Sequence, residues 1–446
     1  MTASSPQRRI VISGMGLISP LGDTPQLLWD HLASGKSGVQ AYDTMQGCSD
    51  GPSFAAIADA FSGKVDDFGE LQKDQKKMIR KGLKLMSRET QMGVAAAQLA
   101  LQDAGFVPGA MEPERCGCIF GTDYMLTMPE DFADGIAACE SSEPSEAGEA
   151  ARFLFSQWGQ DGLSKMTPLW LLRYLPNMPA SHVAIYNDLR GPNNSLTMRE
   201  AAANLALGEA FFTMERGSAD LMVVGATGTR VHPMNAIHAV QQEEVAVVDQ
   251  FAAEQLSRPF DRDRCGMVLG EGAGVVVLEE LKSAEARGAT IYGEILARGS
   301  SIVLSPQGVA DREAAIRNAL GSLFESSIVS VQEIGHIHAH GLSTRMGDME
   351  EARAVGSVFD GRSLPVMAAK GNFGNLGAGS GMVELIASLR AVAAGQVPAM
   401  MNFQTPDPDC WLPGISAEAQ GCGNVFINLS VTPQAQAAAV AVGQLQ

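Results

Sequence analysis

Short runs of β-branched and other apolar residues alternate along the chain with longer, Ala-rich amphipathic segments. The short runs predict strands, and the amphipathic segments predict helices. Such alternation is typical of an α/β protein whose strands are mainly parallel. The predicted strands are residues 9–13, 117–120, 221–224, 274–278, 291–297, 334–339, 365–369 and 425–429. The predicted helices are residues 26–33, 88–104, 200–215, 311–324, 348–355 and 381–394.

The series of strands and helices runs twice, which predicts two similar halves at residues 1–255 and 256–432. Residues 133–187 hold two of the four tryptophans and show no clear period. We interpret them as an inserted cap over a pocket that the two halves share. The tail, residues 433–446, is a low-complexity segment that we expect to be frayed.

Composition and charge exclude several classes of function. The 446 residues include 32 basic and 50 acidic side chains, which give a formal net charge of −18. An acidic balance of this size argues against binding to nucleic acid or to an anionic membrane surface. The sequence contains no run of about 18 apolar residues and no apolar stretch of the kind found in secretory signals. We therefore expect a soluble, cytoplasmic protein with no nucleic-acid or membrane partner.

The cysteines support the same interpretation. Their number, seven, is odd, and no CxxC pair occurs, so the pattern indicates neither a disulfide framework nor a zinc ribbon. We interpret all of them as reduced thiols, namely Cys48, Cys116, Cys118, Cys139, Cys265, Cys410 and Cys422.

Residues 191–200, with the sequence GPNNSLTMRE, pass from an extended segment into a predicted helix. The first turn of a helix offers unpaired N–H groups and the positive end of the helix dipole, so we expect Glu200 to be ionised there. The spacing of Thr197 and Glu200 also fits a capping box. Glu200 is therefore open to two interpretations, a helix cap or a catalytic carboxylate.

Three of the seven histidines, His336, His338 and His340, occupy alternate positions within residues 334–344. Alternate positions of a strand share one face, which makes the three imidazoles candidates for one metal site. In the alternative interpretation the strand leads into a glycine turn and only His340 reaches a pocket. Because no carboxylate or thiolate cluster that would complete a metal site lies nearby in sequence, we predict no bound metal.

A third segment, residues 369–381, contains five glycines between Gly371 and Gly381, directly after a predicted strand. Such a loop is suited either to cradling a phosphate or to a tight turn from strand to helix. Lys370 precedes the glycines instead of following them, and the GxGxxG spacing is absent. These two features exclude a Walker loop and a dinucleotide-binding fingerprint.

Together with four shorter motifs, these three segments resemble the β-ketoacyl-ACP synthases of the elongating type, in the thiolase superfamily. The motifs are RRIVISGMG at residues 8–16, SPLG at 19–22, SRPFDRDR at 257–264 and GEGAG at 270–274. The combination is highly specific for this family, and the resemblance extends over about residues 8–430.

The resemblance implies a five-layer αβαβα fold built from two similar halves, and assembly as a homodimer or heterodimer. It implies no bound cofactor, because the acyl substrate is carried on the phosphopantetheine arm of acyl carrier protein. In active members a cysteine at a strand-to-helix turn accepts the acyl group. Two histidines then assist decarboxylation of malonyl-ACP and the condensation, while backbone N–H groups form the oxyanion hole.

Carried over residue by residue, the resemblance places Glu200 at the nucleophile position, with no cysteine within reach in sequence. The first catalytic histidine corresponds to His340. The position of the second catalytic histidine is occupied by Asn375. The resemblance therefore implies a site that lacks two of the three groups used by active members.

Other parts of the site are retained. Lys370 is present, and so are Asp348 and Glu351, the acidic pair that helps to position this lysine in the family. Thr344 is retained as a residue that binds the pantetheine arm. Leu342, however, replaces a second threonine with that role.

The resemblance also assigns a loop that controls access to the substrate. The Gly-Phe-Gly part of the family's loop corresponds to Gly421, Cys422 and Gly423. Cys422 then replaces the gatekeeper phenylalanine. A thiol at this position is a second candidate for an acyl acceptor.

Two functions follow from this pattern. The first is a non-condensing partner of chain-length-factor type, which pairs with a cysteine-bearing ketosynthase in fatty-acid or polyketide synthesis. Such subunits lack the cysteine and commonly carry glutamine there, so Glu200 is an approximate match. The second is a residual enzyme that decarboxylates malonyl-ACP or transfers acyl groups, with His340 and Asn375 donating hydrogen bonds to a thioester oxygen. We favour the first, because an ionised Glu200 would repel the malonyl carboxylate.

Overall fold

In the computed structural model, the described residues are 8–45, 51–141, 152–246, 251–325 and 329–445. Cys48 and residues 142–151 of the predicted insertion lie outside them. The described part of the chain forms a mixed α/β structure around a large central sheet.

Each predicted strand and helix is present, although many observed bounds differ from the predicted ones. The described strands are β1 (Ile10–Ile18), β2 (Val39–Ala41), β3 (Phe54–Ala56), β4 (Cys116–Thr122), β5 (Asn193–Thr197), β6 (Leu221–Thr229), β7 (Leu269–Glu280), β8 (Gly293–Ile302), β9 (His336–His338), β10 (Val366–Met367), β11 (Gln396–Val397), β12 (Gln420–Gly421), β13 (Val425–Val431) and β14 (Gln436–Gly443). The described helices are α1 (Pro25–Ala33), α2 (Lys73–Gly82), α3 (Arg88–Asp103), α4 (Pro129–Ala137), α5 (Met178–Asn187), α6 (Ala202–Glu215), α7 (Pro233–Gln242), α8 (Leu281–Ala286), α9 (Arg312–Glu325), α10 (Arg345–Val358), α11 (Lys370–Phe373) and α12 (Ser380–Ala394).

The order of strands in the main sheet reveals the two halves. It reads β10-β9-β13-β14-β8-β1-β7-β6-β4-β5, and the halves meet where β8 pairs with β1. Each half contributes five strands to this order. When these five strands are numbered by their appearance in the chain, both halves read 3-2-4-5-1 from the outer edge inward. This repeated order confirms the prediction of two similar halves.

The prediction of mainly parallel strands is wrong for the middle of the sheet. Strand β4 is parallel to β5 and β6, and β9 is parallel to β10 and β13. The pairs nearer the junction of the halves are antiparallel. A short turn joins β13 to β14, and a short turn permits only antiparallel pairing. The sequence alternation alone does not reveal this reversal.

The helices complete a five-layer arrangement, as the predicted fold class requires. Helices α6 and α12 form the middle layer, because α6 contacts β4, β6 and β14 while α12 contacts β7, β6 and β13. Helix α3 packs on the outer face of the first half, and α9 packs on the outer face of the second. The middle layer encloses a buried apolar cluster that draws residues from both halves.

Two predicted boundaries need correction. Strand β7 pairs with β1 and β6 of the first half, so the division lies between Glu280 and Gly293 and not after residue 255. The tail is not frayed, because residues 436–443 form β14, which lies between β13 and β8 and is almost entirely buried. An Ala-rich run has low strand propensity, which is why the sequence pattern did not predict this strand.

The described cysteines are all free thiols. Burial raises the pKa of Cys116 to about 11 and that of Cys410 to about 12, which makes both thiols unreactive near neutral pH. In the part of the chain that the structure describes, no helix has the length and apolar character needed to cross a bilayer.

Candidate active site

Glu200 lies in a single 3-10 turn that links β5 to α6. The preceding residue, Arg199, has a left-handed backbone with φ of 52°, a strained conformation that is often associated with functional sites. The predicted capping box does not form. Thr197 instead faces the Thr122 hydroxyl at 3.3 Å, and no side-chain hydrogen bond caps the start of the turn.

Arg230 is the main partner of Glu200. Its Nη2 donates a hydrogen bond to Glu200 Oε1, and Asn375 Nδ2 donates to the same oxygen at 3.2 Å. Arg199 Nε lies 3.5 Å from the second oxygen, Oε2. Burial alone would raise the pKa of Glu200, but the Arg230 and Arg199 guanidiniums outweigh burial and hold that pKa well below its usual range. Glu200 is therefore a buried, ionised carboxylate.

Two further carboxylates surround the same guanidiniums. Arg230 Nη2 lies 3.4 Å from Asp123 Oδ2, and Arg230 Nη1 lies 3.5 Å from Glu243 Oε1. Arg199 also donates a hydrogen bond to Glu243. We call these five residues, Asp123, Arg199, Glu200, Arg230 and Glu243, the charged cluster. Burial raises the pKa of Asp123 and of Glu243, and the Arg230 guanidinium opposes this shift.

Asp123, Arg230 and Glu243 belong to this site but are not predicted by any motif in the sequence. A signal for two of them was nevertheless present. Asp123 directly follows β4, Arg230 directly follows β6, and Glu200 comes shortly after β5. These three strands are parallel neighbours, so their carboxyl ends meet at one edge of the sheet.

His340 follows β9 and is held by Lys370. The Lys370 ammonium donates to the His340 carbonyl at 2.8 Å and lies 3.3 Å from Nδ1 of the ring. Because an ammonium can only donate, Nδ1 is the acceptor and the ring proton is on Nε2. Burial, together with the nearby ammonium, lowers the pKa of His340 well below its usual value. His340 is thus a neutral donor at Nε2.

The acidic pair holds the backbone and not the lysine, which corrects the role that the resemblance implied. Glu351 accepts hydrogen bonds from the N–H groups of His340 and Gly341 at 2.6 and 2.8 Å. Asp348 accepts from the N–H groups of the next two residues at 2.9 and 3.1 Å. The carboxylate partner of Lys370 is Glu384.

The three alternating histidines do not converge on a metal. His336 stacks on Phe426 with ring centroids 5.1 Å apart, and burial lowers the pKa of His336 to about 3. His338 uses Nδ1 for the Ser388 hydroxyl at 2.9 Å and Nε2 for a backbone N–H. Among the described residues, no group of His, Cys, Asp or Glu is arranged to hold a metal ion.

The glycine-rich segment is a tight turn, because its backbone packs against two strands. A Cβ atom added at Gly379 would lie 2.2 Å from the carbonyl oxygen of Gly272 in β7. Residues 370–381 are buried throughout, so the segment offers no exposed surface to a phosphate. Asn375 is fixed there, since its Oδ1 accepts the Gly377 N–H at 3.0 Å.

A cavity of about 250 Å³ opens beside His340. Glu200 and Asn375 are both fully buried and do not line it. No described residue of the predicted insertion lines this cavity either, so the described part of the insertion does not cap it. Thr344 is in the wall. The lining residues are Gln242, Glu243, Glu244, Arg312, His340, Leu342, Thr344, Met346, Gly347, Val431, Thr432 and Pro433.

Cys422 is not among the lining residues, which contradicts the gatekeeper assignment of the loop at 421–423. Gly421 pairs with Gln396 in a separate two-stranded sheet, and the Cys422 thiol donates to the Ala391 carbonyl at 3.3 Å. The loop that reaches the cavity is instead the turn between β13 and β14. The glycines around Cys422 mimic the family motif, but their place in the fold is different.

Models of known protein families match most of this chain and identify its family. The models of the beta-ketoacyl synthase N-terminal domain and C-terminal domain match residues 7–284 and 292–404. The chain belongs to the β-ketoacyl synthase family. The break between the two family matches falls between β7 and β8, where the order of strands also places the boundary between the halves.

Relatives of this β-ketoacyl synthase cover nearly its whole length. It is 31% identical to 3-oxoacyl-[acyl-carrier-protein] synthase 2 of Synechocystis sp., over 93% of both chains. A structure described as the ishigamide ketosynthase/chain length factor shares 25% identity and a TM-score of 0.80, covering 99% of this chain and all of that one. A type II PKS acyl-carrier protein in complex with its ketosynthase has a TM-score of 0.79 at 21% identity, covering 98% of this chain and all of that one. The chain is therefore a β-ketoacyl-ACP synthase family member of fatty-acid or polyketide biosynthesis.

Proposed function

We propose that this β-ketoacyl synthase is a non-condensing partner of chain-length-factor type, which acts with a cysteine-bearing ketosynthase on acyl chains carried by acyl carrier protein. One observation carries the proposal. Glu200, at the position expected for the nucleophile, is a fully buried carboxylate paired with Arg230.

The chemistry of this pair argues against acyl transfer. A carboxylate that accepts an acyl group forms an anhydride, which water hydrolyses readily, and pairing with a guanidinium withdraws the electron density that attack would need. Asn375 Nδ2 donates one hydrogen bond to Glu200 and another to Met267 Sδ at 3.3 Å, so it has no free donor for a thioester oxygen. None of the described cysteines lines the cavity beside His340.

Two solved structures of relatives support the proposed pairing with a ketosynthase and the proposed use of acyl carrier protein. One is described as a ketosynthase/chain length factor, and the other contains an acyl-carrier protein in complex with its ketosynthase. In this chain Thr344 lines the cavity, where it is available to the phosphopantetheine arm of acyl carrier protein.

A second candidate, decarboxylation of malonyl-ACP, is favoured by His340. Its Nε2–H is a neutral donor beside the cavity, which suits it to stabilise the enolate that forms as carbon dioxide leaves. The Arg230 and Arg199 guanidiniums lie close to the Glu200 carboxylate, which weakens its repulsion of a malonyl carboxylate. Only one of the two expected donors is available, and we therefore rank this activity second.

The test uses the full-length chain, alone and together with a co-expressed cysteine-bearing ketosynthase. Alone, with acyl-ACP and labelled malonyl-ACP, it should give no β-ketoacyl product, no acyl adduct by intact-protein mass spectrometry and no labelled carbon dioxide. With the ketosynthase, it should co-purify and change the distribution of product chain lengths.

Three results distinguish the candidates. Condensation by the chain alone would overturn the proposal. Release of carbon dioxide that is lost in the variant His340→Ala would establish the second candidate. Failure to co-purify with the ketosynthase, combined with a stable homodimer, would also count against the partner role.

A further inference from the structure

Within the charged cluster, Glu243 faces the cavity, whereas Glu200 lies at the buried end of the cluster beside Asn375. Glu243 and His340 line the cavity, whereas Glu200 and Asn375 are fully buried. From the cavity inward, the contacts lead from Glu243 to Arg230, from Arg230 to Glu200 and from Glu200 to Asn375.

Glu243 is the member of the cluster that faces the cavity. Its Oε1 takes part in contacts with both Arg199 and Arg230. The side chain is only 6% exposed, and its Oε2 is buried without a hydrogen-bond partner among the described residues. Glu243 follows the last residue of α7, so a rotation of its side chain toward the cavity disturbs no helix.

The charges of the cluster do not require Glu243. Without it, the carboxylates of Asp123 and Glu200 face the guanidiniums of Arg199 and Arg230, two against two. With it, the cluster holds three carboxylates and two guanidiniums. The departure of Glu243 therefore leaves no unbalanced charge, and the only loss is its contacts with the two arginines.

We propose that Glu243 is a gate residue that closes the passage from the cavity to Glu200 and Asn375. A thioester in the cavity then meets His340 but does not reach position 200. This inference extends the proposed function, since it relies on position 200 as the nucleophile position. The closed gate would prevent acyl transfer at position 200 even if a cysteine were present there.

The gate predicts that a cysteine at position 200 is insufficient to restore reactivity. In the variant Glu200→Cys, Glu243 keeps its contacts with Arg199 and Arg230, so the gate stays closed. The nearby Arg230 would favour the thiolate form of the introduced thiol, which makes the thiol intrinsically reactive. Slow reaction of this thiol would therefore reflect restricted access and not a weak nucleophile.

The experiment compares three full-length variants, E200C, E200C/E243A and the matched control E200C/E244A. Glu244 lines the same cavity, but it contacts Arg345 and no member of the cluster. The variants are treated with iodoacetamide, and mass spectrometry of the peptide containing residue 200 gives the alkylation rate. We expect E200C/E243A to react at least about tenfold faster than E200C, because opening no longer breaks charge-assisted hydrogen bonds. E200C/E244A should react at the E200C rate.

Cys422, which is partly exposed and lies outside the cluster, reports on general loosening of the fold. Its alkylation rate should be the same in all three variants. Rapid alkylation of E200C alone, or equal acceleration at Cys422 in the double variant, would overturn the gate. Neither result bears on the proposed function, which is decided by the wild-type chain with malonyl-ACP.

Discussion

Arg230 is the side chain on which the buried charges depend. It is 1% exposed and lies within ion-pairing distance of Glu200, Asp123 and Glu243. Charges buried in a protein interior are costly unless they are paired. Without Arg230, three buried carboxylates would share the guanidinium of Arg199 alone.

Replacing Arg230 with methionine, which fills similar space without a charge, should therefore destabilise the protein strongly. We expect the free energy of unfolding to fall by about 3–5 kcal/mol, the usual consequence of removing one partner of a buried ion pair. Urea unfolding followed by circular dichroism measures the loss.

The matched control for Arg230→Met is Glu200→Gln, which leaves two carboxylates facing two guanidiniums. We expect a much smaller loss for this variant, and partial recovery of stability in the double variant R230M/E200Q. Wild-type stability for R230M would contradict the structural role of the ion pairs.

Strand β14 contributes both to the pairing of the central sheet and to its apolar core. It pairs with β13 on one side and β8 on the other, and it contributes residues to the apolar cluster around the middle layer. Val440 is fully buried in this strand. The segment that looked like a frayed tail is therefore an interior strand of the sheet.

The variant Val440→Asp should fail to accumulate as soluble protein, because it places an unpaired carboxylate in the apolar interior at a cost of several kcal/mol. Gln444→Asp is the control, since Gln444 is exposed just beyond the strand. Soluble yield and melting temperature measure both variants. A V440D protein as stable as Q444D would show that β14 does not pack as described.

At the scale of the whole molecule, the two halves share one core. Leu207 of α6 and Met382 of α12 belong to the same buried cluster as Ile12 of β1 and Val440 of β14. Each half would expose one side of this cluster if it were separated from the other.

Fragments 1–288 and 289–446 should therefore be insoluble when expressed separately and should co-purify when expressed together. The cut falls at Gly288, in the loop between α8 and β8. The control pair, 1–255 and 256–446, separates β7 from β1 and β6 and should assemble far less well. Tagged co-purification and size-exclusion chromatography measure the outcome. A soluble, folded fragment 1–288 would contradict the shared core.

By itself, the sequence determined the fold class, the repeated halves and the family. The alternation of apolar runs and amphipathic segments is a local property, and it survives folding because each element keeps its own period. Motifs with specific spacing likewise located His340, Lys370 and Thr344 in one site. These residues lie in or next to the matching segments, so no distant contact was needed to find them.

Only the tertiary structure decided what Glu200 contacts and which loop reaches the cavity. Asp123 and Arg230 meet Glu200 because β4, β5 and β6 are parallel neighbours whose carboxyl ends lie together, and no local pattern encodes that adjacency. Cys422 lies away from the cavity for a related reason. A glycine motif specifies the shape of its own turn, but the packing of the strands around it decides where that turn lies.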